Sequence, residues 1–112
     1  MLVSQGSAMM LVDPHKPERE DECQRIESLG GFVVNVDGLY RINGQLAVSR
    51  AIGDHQYKPI VSAEPDVRVV NLTGSEDFFV IGCDGLWDVV DPKDVVETVY
   101  FQVNEKPGKV FI

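Results

Sequence analysis

The sequence predicts an α+β fold in which short antiparallel hairpins are interspersed with helices. Three observations lead there. Turn signals split short apolar runs of strand type, as at the cluster Ser4-Gln5-Gly6-Ser7 and the dipeptides Asp37-Gly38 and Asn43-Gly44. Two stretches carry helical spacing with their own start and stop signals, one beginning at Glu18 and one at Asp91. Strands and helices do not alternate regularly, as a parallel βαβ array would require.

The elements follow in order. Residues 2–3 and 8–12 flank the turn cluster Ser4-Gln5-Gly6-Ser7 and read as a hairpin. Its first strand is a stub, expected to lack strands to pair with. Asp13-Pro14-His15-Lys16-Pro17 breaks regular structure, because its two prolines remove donors and restrict their neighbours. Residues 18–29 read as a helix with Cys23, Ile26 and Leu29 as a narrow buried stripe and the charges on the solvated face. Glu18, Glu20, Asp21 and Glu22 crowd its first turns, where the helix dipole favours anions, and Gly30-Gly31 stops it.

Residues 32–36 and 39–42 form a second hairpin about Asp37-Gly38. Residues 46–54 mix small, apolar and charged side chains without period and read as buried irregular chain, continued by a loop through Tyr57-Lys58-Pro59-Ile60. Residues 67–72 and 77–83 read as strands separated by Thr73-Gly74-Ser75-Glu76, with Phe78-Phe79-Val80-Ile81 buried on both faces. Residues 86–90 suit one helical turn. Asp91 is an N-cap, Pro92 fits the first helical position, and Val95, Val96, Val99 and Val103 give the last helix its apolar face before Lys106-Pro107-Gly108.

Composition narrows the function. Hydrophobic residues are 44% and charged residues 25%, ordinary for a soluble globular chain of one small domain. A net charge of −8 argues against nucleic acid and anionic membrane as partners and is compatible with cations. No apolar run approaches the roughly 18 residues of a membrane span, and no basic segment with a long apolar core opens the chain as a signal peptide would. Cys23 and Cys83 fit no zinc spacing and read as free thiols of a reducing compartment, cytoplasm or nucleus.

The sharpest chemical feature is Cys83-Asp84-Gly85-Leu86-Trp87-Asp88, where an apolar strand runs straight into a carboxylate. Unpaired carboxylates are costly to bury, so such residues are usually paired or bound to metal. Asp84 and Asp88, one helical turn apart, suit a hard cation, Mg²⁺ or Mn²⁺. The alternative is that Asp84 caps the short helix and Asp88 is a surface residue. Ser49, Arg50 and Asp54 form a second cluster, read as a structural network in which Arg50 pairs with Asp54. The histidines, His15 and His55, sit in neither a nucleophile elbow nor a zinc pattern.

Several motifs occur together in order: Pro14-His15-Lys16-Pro17, Glu22 to Ile26, Gly30-Gly31, Arg41-Ile42-Asn43-Gly44, Leu46 to Asp54, and Cys83-Asp84-Gly85-Leu86-Trp87-Asp88-Val89. In that order they resemble the C-terminal half of a PP2C-type (PPM) metal-dependent Ser/Thr protein phosphatase. The segment from Pro14 to Glu22 also resembles the calmodulin-kinase phosphatases that partner PIX exchange factors. The resemblance implies a partial α-β-β-α sandwich of antiparallel sheets with outer helices. It also implies a two-metal Mg²⁺ or Mn²⁺ site and a metal-activated water that attacks phosphoserine or phosphothreonine in protein substrates. Asp84 matches the ligand of one catalytic metal and Asp88 that of a weaker additional one, while Arg50 and Asp54 belong to the scaffold.

The family's N-terminal glutamate-aspartate pair, its Asp-Gly-His-Gly motif, its phosphate-binding arginine and its downstream Asp-Asn motif do not occur here. Residues 1–112 are therefore expected to be part of a phosphatase domain, without its N-terminal half and extreme C-terminal part. Alone, the chain is expected to be inactive. The competing expectation is a non-catalytic binding module or truncated product.

Overall fold

The computed structural model describes residues 1–105. The chain divides into two compact units, residues 1–12 with 68–105, and residues 13–67. Both combine helices with antiparallel sheet, as the α+β expectation requires.

In the first unit, β1 (Leu2–Ser4) lies between β2 (Ser7–Met9) and β5 (Glu76–Phe79), antiparallel to both. The stub expected to lack partners is thus the central strand. Gln5 and Gly6 both have positive φ, 48° and 77°, the geometry a two-residue hairpin turn needs. Tyr100 and Asp77 clamp that turn. The Gln5 N–H donates to Asp77 Oδ2 at 2.6 Å, the Gly6 N–H to the Tyr100 hydroxyl at 3.0 Å, and that hydroxyl to Asp77 Oδ2 at 2.7 Å. Pairing of β1 with β5 continues one residue further, where Met1 and Val80 exchange backbone hydrogen bonds at 2.9 Å.

Helix α3 (Pro92–Glu105) starts as predicted, with Asp91 Oδ1 accepting from the Lys93 N–H at 2.8 Å. Its Val95 and Val96 join Met1 and Val3 in the core, with Phe78, Val80, Leu86, Trp87 and Val99 packed around them. Val103 lies outside that core and is exposed. The Lys106-Pro107-Gly108 stop lies outside the described residues.

Two strand expectations are corrected. Residues 77–83 are not one strand buried on both faces: pairing stops at Val80, and Phe79 and Ile81 are 68% and 86% exposed. Phe78 and Val80 turn toward the core and their alternate neighbours do not, as expected of an antiparallel sheet packed on one face. Residues 67–72 are not a strand. They pair with none of the described strands, and Val67, Val69 and Leu72 are exposed. β-Branched side chains favour extended backbone but supply no hydrogen-bonding partner for it.

In the second unit, α1 (Glu20–Ser28) ends in a Schellman motif. The Gly31 N–H donates to the Ile26 carbonyl and the Gly30 N–H to that of Glu27, both at 3.0 Å, with Gly30 at φ 82°. Strands β3 (Val33–Val36) and β4 (Leu39–Ile42) pair across Asp37-Gly38, both with positive φ. Ile26, Ile42 and Val61 form the core.

The stripe proposed for α1 is also corrected. Leu29 is exposed and Cys23 only half-buried, and the buried pair is Glu22 and Ile26, four residues apart on one face. The 46–54 segment is irregular as expected, but among its residues only Ser49 is buried, and Ile52 is 95% exposed.

Candidate functional site

The carboxylate pair lies in the first unit, just beyond the end of the sheet. After Val80 the chain runs through Ile81, Gly82 and an extended Cys83 into a single helical turn, α2 (Asp84–Trp87). The Cys83 carbonyl accepts from the Leu86 and Trp87 N–H groups at 3.0 and 3.2 Å. The Asp88 N–H donates to the Asp84 carbonyl at 2.9 Å, so the two aspartates stand one hydrogen-bonded turn apart. Residues at that spacing share a helix face. Both aspartates are exposed.

Two sequence readings of Asp84 are refined. It is not the cap of the turn, since Cys83 holds that position and Asp84 Oδ1 accepts only locally, from the Gly85 N–H at 2.8 Å. Nor does it project straight from the strand, because three residues separate it from Val80, where pairing ends. The chain before it is tied to the turn by Trp87, whose indole Nε1 donates to the Gly82 carbonyl at 2.6 Å.

The donor set is all oxygen and open to water, which fits the chemistry of Mg²⁺ or Mn²⁺. It amounts to two side chains. No group of three His, Cys, Asp or Glu residues suited to a metal occurs among the described residues.

The second cluster occupies the other unit and differs from its expected form. Arg50 does not pair with Asp54, which is exposed at φ 49°. Its Nη2 lies 2.7 Å from Glu22 Oε1, while its Nη1 donates to the Glu64 carbonyl at 2.8 Å and to Asp66 Oδ1 at 3.2 Å. Arg25 approaches Glu22 from the other side, with Nη2 2.9 Å from Oε2, and also donates to the carbonyls of Ile60 and Ser49. Glu22 is 1% exposed. Its burial disfavours ionisation, but the hydrogen bonds from Arg50 and Arg25 prevail and hold its carboxyl far below the usual carboxylate range.

Ser49 donates its hydroxyl to the His15 main-chain carbonyl at 2.9 Å, and His15 Nε2 lies 2.8 Å from Asp66 Oδ2. The cluster is a side-chain network, as expected, but its hub is Glu22. The missed signal was the i, i+4 pairing of Glu22 with Ile26, with Arg25 three residues beyond Glu22.

Comparisons with known proteins supply the context. The family described as "Protein phosphatase 2C" matches residues 1–110. The chain is 51% identical over 108 residues to Homo sapiens "Protein phosphatase 1F", covering 96% of this chain and 24% of that protein. It is 48% identical over 108 residues to Mus musculus "Protein phosphatase 1E", with coverage of 96% and 14%. It is 50% identical over 99 residues to Arabidopsis thaliana "Probable protein phosphatase 2C 14", with coverage of 88% and 22%. This chain therefore spans a quarter or less of these relatives.

Among solved structures, a C. elegans sex determining protein superposes with a TM-score of 0.83 at 30% identity over 95% of this chain and 26% of that one. A phosphatase from Toxoplasma gondii superposes with a TM-score of 0.78 at 30% identity, with coverage of 96% and 35%. Among the described residues no helix is long and apolar enough to cross a membrane.

Proposed function

We propose a function from one established premise: this chain belongs to the protein phosphatase 2C family. The proposed activity is metal-dependent removal of phosphate from phosphoserine and phosphothreonine in proteins, carried out by a phosphatase domain of which residues 1–112 are part. The observation that carries the proposal is the placement of Asp84 and Asp88 on one exposed turn at the end of a core sheet, within a chain of this family.

Asp84 and Asp88 would hold Mg²⁺ or Mn²⁺ through their carboxylate oxygens. Bound divalent ions supply an activated water and neutralise charge on the phosphoryl group. The chain's own contribution is to keep both carboxylates at the surface and to fix the turn that carries them against the first unit's core. Arg50, Glu22 and Arg25 brace the second unit and touch no substrate in this reading. A cytoplasmic or nuclear location accompanies the proposal, supported by the free thiols of Cys23 and Cys83. Kinship with the calmodulin-kinase phosphatase branch is a further part of it, supported by the resemblance of the segment from Pro14 to Glu22.

A binding module without turnover is the second reading. It is favoured by the two-carboxylate donor set, which falls short of a full coordination shell. One assay separates the two: Mn²⁺-dependent phosphate release from a phosphothreonine peptide by the protein that carries this chain, beside its Asp84→Asn variant. Turnover lost on substitution with the fold retained supports the phosphatase. Absence of metal-dependent turnover supports the module.

A further inference from the structure

We propose that Trp87 is a positioning residue that sets the direction of Asp84 through the Gly82 carbonyl. The inference rests on the reading of Asp84 as a metal ligand and adds what holds that ligand in place.

Residues 81–84 have no strand partner among the described residues, so pairing in the sheet cannot fix Asp84. Trp87 packs against the buried cluster of Met1, Val3, Val95 and Val96, which anchors it to the core of the unit. From that anchor its Nε1–H reaches back five residues to the Gly82 oxygen, at 2.6 Å. The Cys83 carbonyl is held as well, by the Leu86 and Trp87 N–H groups. Both peptide units leading into Asp84 are therefore tied to the turn that follows it.

The close fit at Gly82 shows that the clamp is tight. A Cβ at that position would lie 2.8 Å from Leu86 Cδ2 and 3.1 Å from Trp87 Nε1. A side chain there would make Leu86 shift and would press the indole away from its place by a few tenths of an ångström. Its backbone needs no positive φ, so packing rather than backbone conformation calls for glycine here. Outer partners that orient a ligand commonly change metal affinity by about 10- to 100-fold when removed.

The test uses the full chain and Mn²⁺ alone, with free ion counted by electron paramagnetic resonance. Trp87 is the sole tryptophan, so β-(3-benzothienyl)alanine can replace it uniformly, keeping the ring shape while exchanging the N–H for sulfur. The expected result is an affinity for Mn²⁺ about tenfold weaker, with circular dichroism and unfolding cooperativity retained. Gly82→Ala should weaken binding in the same direction. Luminescence of Tb³⁺ sensitised by Trp87 should drop in Gly82→Ala at fixed ion concentration, a spectroscopic readout that does not depend on turnover. On an Asp84→Asn background neither change should weaken Mn²⁺ binding further.

A folded benzothienyl chain that binds Mn²⁺ like the unmodified one overturns the clamp while leaving Asp84 as a ligand. If Asp84→Asn by itself leaves Mn²⁺ binding unchanged, the ligand reading fails and the clamp falls with it.

Discussion

Glu22 and Arg50 are separated by 28 residues in sequence, yet their side chains meet at 2.7 Å around a carboxylate that is 1% exposed. The pair ties the first turn of α1 to the irregular segment after β4. Arg25 completes the neutralisation from within the helix, so the buried anion carries two cations. An unpaired charge at this site would be expensive, and a paired one holds the two segments in register.

Glu22→Ala should lower stability by about 3 kcal/mol, because it leaves Arg25 partly buried without its anion and Arg50 with only the exposed Asp66. The urea midpoint of the chain measures it. A midpoint unchanged within error would mean the network contributes nothing.

The same residue predicts a pH dependence. Glu22 ionises more readily in the folded chain than in the unfolded one. Its stabilisation is whole above the ordinary glutamate pKa of about 4.3 and declines progressively as the pH falls below it toward the depressed folded value. The stability gap between the unmodified chain and Glu22→Gln should therefore be wider at about pH 6 than at about pH 3. Denaturant titrations at both values test this, and a gap that widens on acidification contradicts it.

Adjacent glycines after α1 should fail for different reasons. A Cβ on Gly31 would sit 2.9 Å from Ile26 Cγ2 and 3.1 Å from Ile60 Cγ2, so Gly31→Ala should cost about 1–3 kcal/mol by overpacking. Gly30 faces open space but has φ 82°, so Gly30→Ala should cost about 1–2 kcal/mol through backbone strain alone. Asparagine tolerates that conformation and should recover part of the loss at Gly30 but none at Gly31. Thermal unfolding of the four variants would show equal recovery at both sites if this account is wrong.

Asp54→Asn should change stability by no more than about 0.5 kcal/mol, since Asp54 is exposed, has a positive φ that asparagine also accepts, and is not Arg50's partner. A large loss in its melting temperature would restore Asp54 to the network.

The two candidate ligands should separate in the protein that carries this chain. Asp84→Asn should lower both metal affinity and phosphatase turnover, because a neutral oxygen replaces a direct carboxylate. Asp88→Asn should leave tight binding largely intact and shift the Mn²⁺ concentration dependence of turnover. Calorimetric titration beside steady-state kinetics distinguishes them, and the reverse order of effects would exchange their roles.

Much of this protein was determined by local sequence. The hairpin turns at Gln5-Gly6 and Asp37-Gly38, the glycine stop of α1, the Asp91 cap of α3 and the placement of Asp84 and Asp88 on one turn all follow from a few neighbouring residues. Their backbone conformations and capping bonds are decided within a span of about six residues, so the chain carries the information in place.

Only the tertiary structure decided the rest. A run such as Phe78-Phe79-Val80-Ile81 states that its side chains are apolar, but not that α3 packs on one face and leaves Phe79 and Ile81 exposed. The composition of α1 advertised a charged, solvated surface, and its Glu22 is nevertheless buried, because two arginines, one of them from another segment, neutralise it there. Arg50 stood four residues from Asp54 and paired with a glutamate 28 residues away. Burial and ion pairing are set by which distant segments meet, and a carboxylate ionises in the interior only where such a meeting supplies its counter-charge.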